Sequence, residues 1–149
     1  MTPIPRRLTD SSGFTLVELL VVMLILGILA AVGIATFLHQ RSKGEDAAAK
    51  VYVTTASKAM GVWHNDHGTY AGATRAQLAE IEPALNSALG LVATGDDDSY
   101  TVSVDSTAGA QGGGTFTLEY SDDGTIQRTC ANPGQGACAS APDAHGNSW

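Results

Sequence analysis

At 149 residues, this chain has room for one modest folded domain beyond any membrane segment. Its formal charge is −7, from 8 Lys and Arg against 15 Asp and Glu. That balance argues against a general nucleic-acid-binding face, which needs clustered cations, and leaves room only for a local basic patch.

The chain opens with a short polar stretch, Met1 to Gly13, that carries Arg6 and Arg7. Next comes Gly13-Phe14-Thr15-Leu16-Val17-Glu18, and then Leu19 to Leu38 without one charged residue. About 20 such residues in a helix, at a rise of roughly 1.5 Å each, span the hydrocarbon core of a bilayer. An ionised acid inside such a span costs about 2.5–3.5 kcal/mol on insertion scales, so Glu18 needs a reason to be there. Arg6 and Arg7 lie before the span, and the residues after it are mixed and then acidic. The positive-inside bias therefore puts the leader in the cytoplasm and everything after Leu38 outside.

An ordinary secretory signal peptide would use the same arginines and apolar run, with a cut near Ala30, Ala31 or Ala35. Against it stand the acid inside the apolar run, the length of that run, and a helical pattern that continues past the cut. A simple single-pass anchor would leave the Gly-Phe-Thr-Leu-x-Glu string as coincidence. The bland reading of Glu18 itself is an acid resting at the headgroup boundary.

The run Phe14-Thr15-Leu16-Val17-Glu18-Leu19-Leu20-Val21-Val22, with Gly13 before it and Gly27 midway along the span, resembles the processing site of type IV pilins and pseudopilins. The resemblance implies cleavage by a prepilin peptidase between Gly13 and Phe14, N-methylation of Phe14, and an assembly role for Glu18. It also implies, as partners, other pilin subunits in a homo- or hetero-oligomer, the peptidase/methylase, an inner-membrane assembly platform and the membrane itself. Physically, the new amine at Phe14 would lie one helical turn from Glu18, and a neighbour's amine could pair with that carboxylate and set register. One departure is plain: many pilins have a proline in the second half of the span, where this chain has Ala35, with Gly33 nearby.

The helix is expected to continue past the membrane. From His39 to Asn65 there is no proline, and Tyr52, Ala56, Ala59, Met60 and Trp63 recur at helical steps. Lys43, Glu45, Asp46, Lys50 and Lys58 fall mostly elsewhere around the cylinder. Gly44 and Gly61 each weaken the helix by about 1 kcal/mol relative to alanine. A continuous helix from Thr15 to near Asn65 would be roughly 75 Å long, with a head on its second half.

His64-Asn65-Asp66-His67-Gly68-Thr69-Tyr70 should end that helix. Two histidines and an acid there raise a metal site, but such a fraying end seldom makes a closed one, so no metal is expected. Thr74 reads as the N-cap of a short helix through Ile81, with Gln77 completing a capping box and Pro83 stopping it. Leu78, Ile81 and Leu85 would pack it on the head. Asp96-Asp97-Asp98 lacks the spaced ligands of a calcium loop and reads as a solvated turn, although the major pseudopilins that this layout resembles bind calcium.

From Leu89 the period becomes two. Tyr100, Val102 and Val104 mark one half-buried strand, and Phe116, Leu118 and Tyr120 mark a second. Between them Gly109 to Gly114 reads as a flexible connection. The Asp122-Asp123-Gly124 turn leads into a third strand, Thr125 to Cys130. Cys130 and Cys138 read as a disulfide in an exported domain, worth roughly 2.5 kcal/mol in the chain-entropy model. Zinc is the alternative, but the tail offers only the distant His145 as a further ligand. Trp149 is expected to pack back on the head. No Ser, His and Asp are spaced as a triad, so neither an enzyme nor a cofactor is expected.

The expected fold is therefore α+β: a long N-terminal helix, transmembrane in its first half, packed against a small antiparallel sheet. The organisation is a leader (1–13), a transmembrane and assembly helix (14–38), an amphipathic extension (39–66), and a head with a disulfide loop (67–149). The resemblance implies a structural pilus subunit serving adhesion, motility or DNA uptake, without direct nucleic-acid binding by this chain. Two other readings stay open: a pseudopilin of a type II secretion system, and a binding module that uses the span as a tether. The subunit would be a single-pass protein of the cytoplasmic membrane, then part of an extracellular filament or a periplasmic pseudopilus.

Overall fold

The computed structural model describes residues 13–149; Arg6, Arg7 and the rest of the leader before Gly13 lie outside the described residues. Helix α1 runs Leu16–His67, a 52-residue stretch without proline and rich in alanine and leucine. It ends at Gly68, whose φ of 74° and N–H bond to the His64 carbonyl (2.7 Å) make a left-handed cap. Chain contacts divide the protein into two units, one reaching to Thr36 and one running Phe37–Trp149.

In the second unit, α1 packs on a four-stranded antiparallel sheet in the sequential order β1-β2-β3-β4. The strands are β1 (Val92–Gly95), β2 (Tyr100–Asp105), β3 (Thr115–Tyr120) and β4 (Ile126–Cys130). Alternation decides which side faces the helix: Tyr100, Val102 and Val104 on β2, and Phe116 and Leu118 on β3, are buried. Their register pairs Val102 with Leu118 and Val104 with Phe116, which stacks the bulky side chains over α1. Strand β1 exceeds the three expected strands. Only four residues long, with no fully buried side chain, it is too short to show a period of two in the sequence, and pairing with β2 creates it.

Helix α2 (Arg75–Ile81) begins as its sequence indicates. The Gln77 Oε1 accepts the Thr74 N–H at 2.7 Å and the Thr74 hydroxyl at 2.5 Å. A 3₁₀ turn, Pro83–Ser87, follows, and Leu78 and Leu85 are fully buried while Ile81 packs at the margin of the core.

Two expectations need correction. The buried stripe of α1 is Ala49, Val53, Ala56, Ala59 and Met60, whereas Tyr52 and Trp63 only flank it, half-buried. Steps of three and four back from Ala49 reach Asp46 and Ser42, so this acid lies on the core side and is fully buried. The Gly109–Gly114 connection, expected to be flexible, is instead partly packed. It contains a short 3₁₀ turn, and Gly112 and Gly113 are buried where only a residue without a side chain fits.

Candidate processing and assembly site

The residues singled out near the N-terminus are all accessible. A side chain added at Gly13 would meet nothing within 4 Å, and Phe14 is 76% exposed. Thr15 starts α1: its hydroxyl accepts the Glu18 N–H at 3.2 Å, and its carbonyl accepts the Leu19 N–H at 3.2 Å. The Glu18 carboxylate reaches back to the Thr15 hydroxyl (3.4 Å) and N–H (3.5 Å). This reciprocal Thr-x-x-Glu arrangement is a loose capping box, and the acid also sits favourably at the positive end of the helix dipole. The Thr-x-x-Glu spacing is present in the sequence, although the reading of Glu18 there rests on its charge and on the pilin resemblance.

Beyond Glu18, no large apolar side chain described between Leu16 and Leu38 is less than 44% exposed. This part of α1 is long and apolar enough to cross a membrane. Thr36 returns its hydroxyl to the Gly33 carbonyl (3.0 Å), which satisfies the one polar side chain in the second half of the run.

In the second unit, Cys130 and Cys138 are bonded to each other, with Cα atoms 5.9 Å apart. The histidines of the helix end are engaged with aromatic rings. His67 stacks on Trp63 at 3.6 Å between centroids, and His64 lies 4.4 Å from Tyr70. The Asp96 carboxylate closes its own turn, accepting the Ser99 N–H (2.8 Å) and hydroxyl (3.0 Å) and the Asp98 N–H (3.2 Å). The Ser99 bonds, backbone first, hold it below the ordinary carboxylate value. Among the described residues no group of three His, Cys, Asp or Glu side chains is arranged to hold a metal ion.

The sequence reading missed the role of Asp46. Its Oδ1 accepts the Ser106 hydroxyl at 2.5 Å, and its Oδ2 accepts the N–H groups of Gly113 (2.8 Å) and Ala137 (2.7 Å). Lys50, one turn further along α1, donates from Nζ to the Ala137 carbonyl at 2.7 Å. Its ammonium also lies 5.3 Å from the Phe116 ring centroid and 5.7 Å from that of Trp149. Burial pushes the Lys50 ammonium below its ordinary value, and Asp46 acts against that shift. The signals available beforehand were an acid in line with Ala49 and Val53, and glycines at 112, 113 and 136. Trp149 packs edge-on against Phe116 and donates its indole N–H to the Thr129 carbonyl at 2.8 Å.

Comparison with known proteins bears on the N-terminal segment. Residues 8–34 match the model of the prokaryotic N-terminal methylation motif. The chain is also 37% identical, over 78 residues, to the type IV wide pilus major component PilA4 of Thermus thermophilus. That match takes in 52% of this chain and 57% of the relative, so the chain spans little more than half of that protein's length. The chain is thus similar to a type IV pilus component and carries the methylation motif at its N-terminus, and its long helix packed on an antiparallel sheet is a pilin-like arrangement.

Proposed function

We propose that this chain is a structural subunit of a type IV pilus, made as a membrane-anchored precursor and polymerised through α1. In this reading a prepilin peptidase cuts between Gly13 and Phe14, Phe14 is N-methylated, and the leader stays on the cytoplasmic side while the head is exported. The observation that carries the reading is the first half of α1: every large apolar side chain described from Leu16 to Leu38 is exposed, and Glu18 is the single charge among them. Such a helix needs either lipid or other copies of itself around it.

Glu18 then has two successive partners. In the precursor, the hydroxyl and N–H of Thr15 hold the carboxylate. After cleavage, the amine of Phe14 on a neighbouring subunit supplies a full opposite charge at the same depth, which offsets the cost of taking Glu18 out of water. The loose bonds to Thr15, at 3.4 and 3.5 Å, are weak enough to be exchanged for that pair. Partners in this reading are further pilin subunits, the peptidase/methylase and an inner-membrane assembly platform. Adhesion, motility or DNA uptake would be properties of the assembled filament.

The test is mass spectrometry of the native N-terminal peptide, taken separately from sheared surface filaments and from washed envelopes. N-methylated Phe14 in the sheared material is the expected result. The same terminus confined to envelopes would favour a pseudopilin or a minor subunit, and a terminus near Ala31 or Ala35 would overturn the reading.

A further inference from the structure

The charged pair on α1 grips a single residue of a distant loop from both sides. Asp46 takes the N–H of Ala137 and Lys50 takes its carbonyl, both at 2.7 Å, and Ala137 immediately precedes Cys138. Cys138 is 5% exposed and bonded to Cys130, the last residue of β4, whose Cα pairs with that of Phe116 in the sheet. Gly136 completes the fit. A side chain there would collide with the Asp46 carboxylate and with the backbone at Gly112 and Gly113. The disulfide therefore fixes the position of the one residue whose peptide groups meet both the buried Asp46 and the half-buried Lys50.

We propose that the Asp46–Lys50 pair and the Cys130–Cys138 bond form one redox latch, in which oxidation of the cysteines and docking of residues 136–138 onto α1 each stabilise the other. With the cysteines reduced, Ala137 is tethered only by hydrogen bonds, and its departure leaves a buried carboxylate short of a donor. A buried charge that loses a donor is strongly destabilised unless water enters, so the loop around Gly113 loosens as well. Linkage is reciprocal: if the disulfide favours the docked acid, the docked acid must favour the disulfide.

The chemistry is thiol–disulfide exchange with an exported disulfide-bearing oxidant. One cysteine thiolate attacks a sulfur of the donor, forming a mixed disulfide and releasing one donor thiolate. The second cysteine thiolate then attacks the first, closing Cys130–Cys138 and releasing the second donor thiolate. The donor gains the two electrons that the cysteines lose.

The test uses the full chain in detergent micelles, equilibrated with a fixed ratio of reduced to oxidised glutathione and scored by thiol alkylation. Asp46→Asn should shift the dithiol–disulfide equilibrium about tenfold toward the dithiol, whereas Asp123→Asn, in the exposed β3–β4 turn, should leave it unchanged. Equal equilibria for Asp46→Asn and the unaltered chain would overturn the proposal. Amide exchange of the unaltered chain gives a second measure that needs no substitution. Reduction should release the amide of Gly113, 25 residues before Cys138, along with that of Ala137. A Gly113 amide equally protected in both redox states would sink the latch, whether or not the variant folds.

Discussion

At position 136 the backbone has φ of 52°, and an added methyl group would run into the Asp46 carboxylate. Both effects point the same way, so Gly136→Ala should destabilise the head by about 1–3 kcal/mol, read by chemical denaturation in detergent. An unchanged midpoint would mean that the loop moves aside freely. Thr15 offers a contrasting site. Thr15→Ala removes the acceptor for the Glu18 N–H, and should lower helix stability at the first turn by about 1 kcal/mol. The expected signature is faster amide exchange at Glu18 in the precursor, with the head unaffected. These residues differ in how legible they were. Glu18 was conspicuous because a charge in an apolar run violates a simple rule. Asp46 passed as one of several exposed helix charges, because its three donors come from residues 106, 113 and 137, and no local pattern links them.

Among the elements, α1, α2 and the strands around Val102 and Phe116 could be read because each carries its own periodicity or cap. Strand β1 could not, since its four residues are a strand only through pairing with β2. Met60 on α1 and Phe116 on β3 belong to the shared core, both with no exposed surface. Truncating Phe116 to alanine should destabilise the fold by about 3–5 kcal/mol, because it leaves a cavity beneath Trp149 and beside Gly113. A loss below about 1 kcal/mol would show that the sheet collapses onto the helix without it. Tyr100 adds a pH dependence to the same contact. Its phenol bonds Ser57 on α1 at 2.7 Å, and burial raises its pKa above the ordinary 10.0, with the Ser57 bond opposing the shift. The fold thus favours the protonated phenol. The resulting stability is fully present below the ordinary tyrosine value and is lost as pH climbs through the raised one. Subtracting the ultraviolet titration of Tyr100→Phe from that of the unaltered chain should therefore show the removed tyrosine ionising above its ordinary value. A removed tyrosine that ionises at or below the ordinary value would refute it.

At the level of the molecule, assembly and head stability should separate, because Glu18 falls in the unit ending at Thr36 and the core in the other. Glu18→Ala should abolish filaments in a surface-shearing assay while the denaturation midpoint of the head stays within error. Normal filaments would end the assembly role, and a destabilised head would show that the two units are coupled. The sheet is a sequential meander, so most of its pairings are local in sequence and should form quickly.

The bond between Asp46 and Ala137 is of another kind, joining residues 91 positions apart. If the chain enters the membrane leader-side in, synthesis delivers Asp46 across early and Ala137 only after the whole sheet has emerged. By the end of that interval Ser106 and Gly113 can already serve the acid, and only the place of Ala137 is still open to solvent. In that order of synthesis, a chain cut short between the sheet and residue 137 would hold every strand of the meander and still lack the donor that closes the seat on Asp46.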